Sequence, residues 1–468
     1  MVETSREGES ADVAALVGAS NRFSIGGYLK NETAFRFKEP RSITKIRDIA
    51  YLNGSYSFSS DYRLVFAGWA YHDSAYDLFD YQTISGRFAR DSDKPLVFID
   101  NLQQQKDSDV AEIRELYLDS YFDKLDLRIG KQYVVWGVLE GIRITDEVNP
   151  IDFRELILPD LLDYRISQWT LRADYYAENN ASYELIWIPD IQFHKAAPPG
   201  SEWELLQDIR DANGNLLTKV PPQTLANSEI GVKMSTEIGG ADVTFSYLYT
   251  WDYFPVLFRT LLVNSALPPV FIPTYTRINM YGATLVKQLG KGVLKAETAF
   301  VPDKYFGIRN DTDRNGDGYL DDQGEMKKQH IRWGLGYDIS LWGVDWSPAI
   351  TQWIVLGYDP ALIQPQYDTS ISLFARKPLP EYAAVFQVLA IGLINMKELY
   401  LKPKYIFNVT DRFQIAAGLD LFFGSKSQLG ISGGSTALTG TNAINQDPHF
   451  FGNFTGNDRI FAEFKYTF

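Results

Sequence analysis

An acidic stretch at residues 311–322 carries the most specific chemical motif in the sequence. It reads Asp-Thr-Asp-Arg-Asn-Gly-Asp-Gly-Tyr-Leu-Asp-Asp, so that oxygen ligands recur at every second position from its third residue. Calcium loops of the EF-hand type have this spacing, with glycine at the sixth position, where the backbone turns sharply. We therefore predict calcium as a cofactor, held by Asp313, Asn315, Asp317, the Tyr319 carbonyl and Asp321.

The motif departs from the EF-hand pattern at its twelfth position. Gly324 stands there, and Glu325 follows it. The usual ligand at this position is a bidentate glutamate, so its loss weakens the site. A solvated acidic turn without metal is the alternative interpretation.

A second candidate site begins where the segment Lys131–Gly137 runs into a long stretch containing Pro150 and Pro159. Loops of this length are usually functional or disordered. Its apolar content is too high for a free loop tip, so we expect it to fold back against the body of the protein. The stretch at 255–273 is also long and nearly uncharged, and an apolar patch of that size in water would be a liability.

Enzymatic chemistry is poorly represented. The chain has no cysteine, and its four histidines, at positions 72, 194, 330 and 449, are scattered without a neighbouring nucleophile or acid signature. We predict that the protein is not an enzyme. A net charge of -14 argues against nucleic acid as a partner, because phosphate binding requires a basic surface.

The elements that would position these sites are strands. In the last ten residues Ile460, Phe464 and Tyr466 fall on one face, and Arg459, Glu463 and Lys465 on the other. This alternation predicts a strand with one apolar side. Similar segments recur from Phe23 onward, separated alternately by tight polar turns and long loops.

Strict sorting of short and long connections favours a barrel over a β-sandwich. We predict an all-β fold: a transmembrane antiparallel up-and-down β-barrel of about 18 strands, with 16 as the alternative count. Long loops would be extracellular and short turns periplasmic. No apolar run is long enough for a membrane-spanning helix, so strands would make the crossing.

Residues 1–21 are predicted to form a flexible or short helical segment, and residues 22–468 a single barrel. The N-terminus lacks the basic region and apolar core of a signal peptide, so we expect a mature form behind an added start methionine. Five aromatic residues near strand ends are predicted to form interfacial girdles: Trp69, Trp169, Trp187, Trp251 and Tyr466.

The predicted inward faces carry charges of both signs. Such charges can pair and stiffen the wall, or create a transverse field across a pore; both interpretations remain open. We expect residues 138–163 and 255–273 to form a constriction or plug. The candidate lumen residues are Arg128, Trp136, Asp146, Glu147, Asn149, Asp152, Arg154, Glu155, Arg172 and Asp174.

The last strand, ending in Phe468, resembles that of Gram-negative outer-membrane β-barrels. The Trp136-Gly137 strand end before Asn149-Pro150 resembles a proteobacterial family of such barrels that is often encoded beside RND-type exporters. This resemblance implies passage or export of a solute, with a lipophilic compound as one option, and an RND-type export system as a partner. It implies no catalytic residue.

We therefore predict a porin-like channel in the bacterial outer membrane. It would contact outer-membrane lipid and transport a small-molecule solute through a lumen partly occluded by loops. The alternative is a plugged, non-conducting barrel that acts as a scaffold or as a partner-binding component of an export system.

Overall fold

The computed structural model describes residues 22–86, 108–159, 163–178, 180–197, 201–203, 218–259, 271–308, 325–425 and 449–468. Eighteen antiparallel strands pair with their neighbours, and the sheet closes where the first strand pairs with the last. The predicted closed antiparallel β-barrel and the count of 18 strands are confirmed. Closure leaves no edge strand, which is what a sheet in hydrocarbon requires.

The barrel strands are β1 (Phe23–Arg36), β2 (Ser42–Ser57), β3 (Tyr62–Asp73), β4 (Asp109–Phe122), β5 (Leu125–Gln132), β6 (Gln168–Tyr176), β7 (Ser182–Ile188), β8 (Glu229–Ile238), β9 (Ala241–Trp251), β12 (Arg277–Leu289), β13 (Gly292–Gly307), β14 (Glu325–Leu341), β15 (Val344–Leu356), β16 (Tyr367–Leu379), β17 (Ala384–Leu393), β18 (Glu398–Asn408), β19 (Phe413–Phe423) and β20 (Arg459–Thr467). Strands β10 (Val256–Arg259) and β11 (Phe271–Thr274) form a separate hairpin.

The two ends of the barrel differ in their connections. At one end the strands are joined by short turns, such as Gly239-Gly240, and both glycines have the positive φ that such a turn requires. At the other end most connections are long. One of them contains two short helices, α1 (Ala75–Leu78) and α2 (Tyr81–Ser85). In the described part of the chain, no helix has the length and apolar character needed to cross a membrane.

The polarity of the barrel is inverted relative to a water-soluble protein. On the last strand Ile460 is 48% exposed and Phe464 is 43% exposed, while Arg459 is only 5% exposed. The same sorting holds around the described wall, where exposed positions are mostly aliphatic or aromatic and buried ones include many charged residues. The outward face is therefore suited to an apolar surrounding.

The five residues predicted to form aromatic girdles do not all face outward. Trp169, Trp187 and Tyr466 are exposed on the outside of the wall. Trp69 instead lies on the inward face, where the Arg114 guanidinium lies 4.2 Å from its ring. Trp251 is buried beneath loop residues, including Ile191. The predictions for Trp69 and Trp251 are wrong, because nearness to a strand end does not reveal which face a residue occupies or what covers it.

Candidate functional site

Residues 133–167, which we call the lumen segment, connect β5 to β6; its described parts, 133–159 and 163–167, contact the inner wall of the barrel. Its best-held part is anchored by Glu297 of β13, a buried residue on the inner wall. One carboxylate oxygen accepts hydrogen bonds from the backbone N–H groups of Val138 and Leu139, each at 2.5 Å. The other accepts from Thr145, at 3.1 Å from its N–H and 2.7 Å from its hydroxyl.

Glycines on the inner wall make room for the lumen segment. A Cβ added to Gly334 would lie 2.5 Å from Ile144 Cδ1, and one added to Gly231 would lie 2.5 Å from Trp136 Cη2. Both distances are shorter than any ordinary van der Waals contact. The wall and the segment are therefore complementary in shape as well as in hydrogen bonding.

Trp136 of the lumen segment is buried against this wall. Its indole Nε1–H donates to Glu184 of β7 at 2.7 Å. The same carboxylate pairs with Lys233 at 2.9 Å and lies 3.5 Å from Arg172. Arg172 also pairs with Asp174 at 2.8 Å. These predicted residues thus belong to one ion-paired cluster.

Two predicted polar residues of the segment hold the segment itself together. The Asp146 carboxylate accepts a hydrogen bond from Arg165 Nη2 at 2.6 Å. Asn149 accepts from the Val134 N–H at 2.7 Å and donates its amide to the Ile166 carbonyl at 3.0 Å. Both are buried, so their hydrogen bonds offset the cost of removing polar groups from water.

Glu147 connects the segment to β14. Its carboxylate accepts from Arg332 Nη1 at 2.7 Å. Burial alone would raise the pKa of the Glu147 carboxyl, but Arg332 and Arg143 outweigh burial and hold that pKa below its usual value. The carboxylate therefore stays ionised and acts as a charged anchor.

His194 lies beside the segment and accepts the Ile151 N–H on Nδ1 at 2.8 Å. Its ring packs against Phe153 and Phe254, with centroids 5.0 and 4.4 Å away. Burial, together with the neighbouring Arg143 cation, lowers the pKa of His194 to about 3. The imidazole is consequently neutral and serves as a hydrogen-bond acceptor.

Arg128 lies apart from the segment, on β5 near the short-turn end. Its guanidinium pairs with Asp119 at 2.6 Å and lies 4.1 Å from the Tyr117 ring. Arg128 is directly opposite Arg172 on the neighbouring strand. The pairing with carboxylates offsets the repulsion that two adjacent cations would otherwise produce.

The remaining predicted residues border a cavity of about 130 Å³ in the half of the lumen nearer the long loops. Asp152 pairs with Arg154 at 2.6 Å. Glu155 contacts both Lys45 and Arg47 of β2. Aromatic rings share the lining with these charges: Trp69, Tyr71, Tyr76, Tyr81, Tyr164, Trp203 and Phe461.

Two buried glutamates that organise this site were absent from the sequence prediction. Glu184 is identifiable in principle, because Tyr183, Leu185 and Trp187 on either side of it face outward. Glu398, at the start of β18, accepts the backbone N–H groups of residues 450–452 at 2.9–3.1 Å. No local pattern in the sequence reveals that second role.

Other predictions concern residues only partly described. The five calcium ligands, Asp313, Asn315, Asp317, Tyr319 and Asp321, lie outside the described residues, as does segment 1–21. Elsewhere, within the described ranges, no group of three or more His, Asp or Glu residues is arranged to hold a metal ion. Of residues 255–273, the described parts form the β10–β11 hairpin, and Phe258 of β10 contacts the Tyr305 ring on β13 at 5.6 Å.

Fold and site together define a closed 18-strand antiparallel barrel whose lumen holds an anchored segment and an ion-paired cavity. The chain belongs to the family described as Protein of unknown function (DUF1302), whose model matches residues 44–327. No curated protein matches the sequence.

Solved structures share the fold. The structure of OccAB2 from Acinetobacter baumannii aligns with a TM-score of 0.50 at 9% identity, covering 95% of this chain and 98% of that one. OccK8 (OprE) from Pseudomonas aeruginosa aligns with a TM-score of 0.49 at 9% identity, covering 95% and 98%. At such identities the likeness concerns the fold alone.

Proposed function

We propose that the protein is a channel of the Gram-negative outer membrane that passes a small solute. The observation that carries this proposal is the inverted polarity of the closed barrel, with apolar residues outside and ion-paired charged residues inside. An apolar outer surface of this kind is stable against acyl chains and unstable in water. The shared fold with OccAB2, an outer-membrane barrel of the porin type, supports the same function.

The lumen segment partly occludes this channel in the proposal. Its anchors lie on strands spread around the barrel: Glu184 on β7, Glu297 on β13 and Arg332 on β14. On another part of the wall, Lys402 of β18 donates to the Leu158 carbonyl at 2.5 Å. A segment tied to such separated strands crosses the lumen, so the solute would pass through the space beside it, including the cavity.

The same anchors also favour a second candidate, a plugged barrel that acts as a scaffold. The segment is held by charged hydrogen bonds at several points, and a carboxylate with three or four donors is difficult to displace. In this alternative the loops would bind a partner. An RND-type export system is the partner that we propose, on the basis of the sequence resemblance alone.

Conductance in planar bilayers separates the two candidates. We would compare the wild-type protein with a variant in which residues 138–163 are replaced by a short Gly/Ser linker. The channel proposal expects measurable wild-type current and a larger unitary current in the variant, because a cross-section filled by the segment becomes available to ions.

The control is Glu381→Gln, on the exposed turn after β16, which leaves the lumen untouched. A silent wild-type protein with a conducting linker variant would favour the scaffold. Silence in both, from protein that retains its strand content by circular dichroism, would refute the channel.

A further inference from the structure

Six charged side chains of alternating sign lie side by side along the wall of the cavity, and we call them the charge row. In order along the wall they are Lys30, Glu32, Lys45, Glu155, Arg47 and Asp73. Each contacts the next: the first pair is 2.6 Å apart, the second 3.3 Å and the last 3.3 Å, with Glu155 in close contact with both its neighbours.

Of these six residues, Glu155 is the one that the barrel wall does not supply; Asp163, also of the lumen segment, lies 3.8 Å from Lys30 at the end of the row. The other members of the row lie on β1, β2 and β3, whereas Glu155 belongs to the lumen segment. Lys45 and Arg47 are two residues apart on β2, so their side chains share the inward face. The wall by itself therefore presents two adjacent cations, and the segment inserts a carboxylate between them.

The insertion determines the net charge of the charge row itself, whereas the other charged residues that line the cavity, three cations and five anions, are the same with or without Glu155. The wall members of the row carry three cations and two anions, a net charge of +1, and Glu155 brings the row to zero. Glu155 is well enclosed, with 15% of its side chain exposed. Its field is therefore screened less by salt than that of a surface carboxylate.

We propose that Glu155 shifts the ion selectivity of the lumen away from anions by neutralising the Lys45 and Arg47 cations, which suits this part of the cavity wall to uncharged or zwitterionic solutes. This inference deepens the proposed channel function and rests on it. An anion entering the cavity would have to displace a carboxylate that already occupies the cationic pair. An uncharged solute with hydroxyl or amide groups can bond the outer sides of the row and contact the neighbouring rings of Trp69 and Tyr71.

A charge cycle tests this role against a purely structural one. The variants are Glu155→Gln, Lys45→Gln and the double variant, with Glu381→Gln as the exposed control. Reversal potentials in a KCl gradient measure the chloride-to-potassium permeability ratio. We expect that ratio to rise roughly five-fold in Glu155→Gln and to fall by a similar factor in Lys45→Gln, because each variant shifts the local potential by about one to two kT, upward in the first and downward in the second. The double variant should return close to the wild-type ratio.

A merely structural role predicts a different pattern. Each single variant removes the same contact between Lys45 and Glu155. If loosening of the lumen segment were the only effect, the permeability ratio would shift in the same direction in both single variants. It would shift at least as far in the double variant. Shifts of the same sign, or no shift in either single variant, would overturn the proposal.

Titration of detergent-solubilised protein with benzoate separates failure of this inference from failure of the channel. Glu155→Gln should bind benzoate roughly five-fold more tightly than the wild type, because two buried cations lose their internal partner, and the double variant should lose most of that gain. If no form of the protein conducts but this binding pattern holds, the channel proposal fails and the role of Glu155 in charge discrimination stands. Equal benzoate affinity in all forms would refute that role.

Discussion

Replacing Glu297 by glutamine tests how the lumen segment is held against the barrel wall. The carboxylate receives four hydrogen bonds, from the N–H groups of Val138, Leu139 and Thr145 and from the Thr145 hydroxyl. A glutamine of the same shape keeps only one acceptor oxygen and turns an NH₂ group toward two of the donors. Its neutral charge also weakens the bonds that remain.

The size of the effect follows from these contacts. Hydrogen bonds to a charged group contribute about 1.5–3 kcal/mol each, but they are not additive within one cluster. Losing two of the four hydrogen bonds and weakening the other two should destabilise the wall-bound conformation of the lumen segment by about 3 kcal/mol. A tenfold change in an equilibrium constant corresponds to about 1.36 kcal/mol, so local opening of the lumen segment should become roughly 100-fold more frequent.

Hydrogen exchange of the protein in detergent measures this opening directly. The amides of Leu139 and Thr145 should exchange roughly 100-fold faster in Glu297→Gln, while the amides of β13 on either side keep their protection. Glu381→Gln is the matched control, since it makes the same chemical change on an exposed turn. Unchanged exchange at Thr145 would show that Glu297 does not hold the segment. Loss of protection throughout β13 would show a defect of the barrel instead.

Three further perturbations test other contacts of the structure. Gly334→Ala should displace Ile144 and increase proteolytic cleavage between residues 138 and 158, because the added Cβ would lie 2.5 Å from Ile144 Cδ1. In the control Gly26→Ala the added Cβ meets only ordinary contacts of 3.4 Å or more, so cleavage should not change. His194 has a pKa of about 3 in the folded state against an ordinary 6.5, so it binds a proton more readily when unfolded and the wild type loses stability as pH falls below about 6.5. The variant His194→Asn, which keeps an acceptor for the Ile151 N–H, should lose about 2–3 kcal/mol less stability between pH 7.5 and 4.5, as measured by thermal unfolding. An identical pH dependence of the two proteins would contradict the burial of a neutral imidazole. The calcium prediction requires that a chelator speed proteolysis of the 309–324 loop in the wild type but not in Asp313→Ala/Asp317→Ala, and indifference of the wild type to chelator would remove the prediction.

The candidate site was only partly accessible to sequence reasoning. Trp136, Glu147 and Glu155 were predicted as lumen residues because an apolar segment of that length had to pack against something. Their partners were not predictable in the same way, since Glu155 meets Lys45 across 110 residues of sequence and Glu297 meets Thr145 across 152. Such pairs depend on the path of a loop, for which the chain carries no periodic signal.

The sequence alone determined the barrel, because strand alternation is local: each side chain's face follows from its parity, and the sorting of short and long connections follows from the turn residues between strands. That local rule extended to the number of strands and to the terminal strand β20. Tertiary structure decided which inward charges neutralise one another and where the lumen segment rests. The physical reason is that closure brings distant strands to a shared interior, where burial requires a polar or charged group to find a partner. The inward position of Trp69 and the covering of Trp251 by loops were settled at the same level, since neither is encoded in the residues next to them.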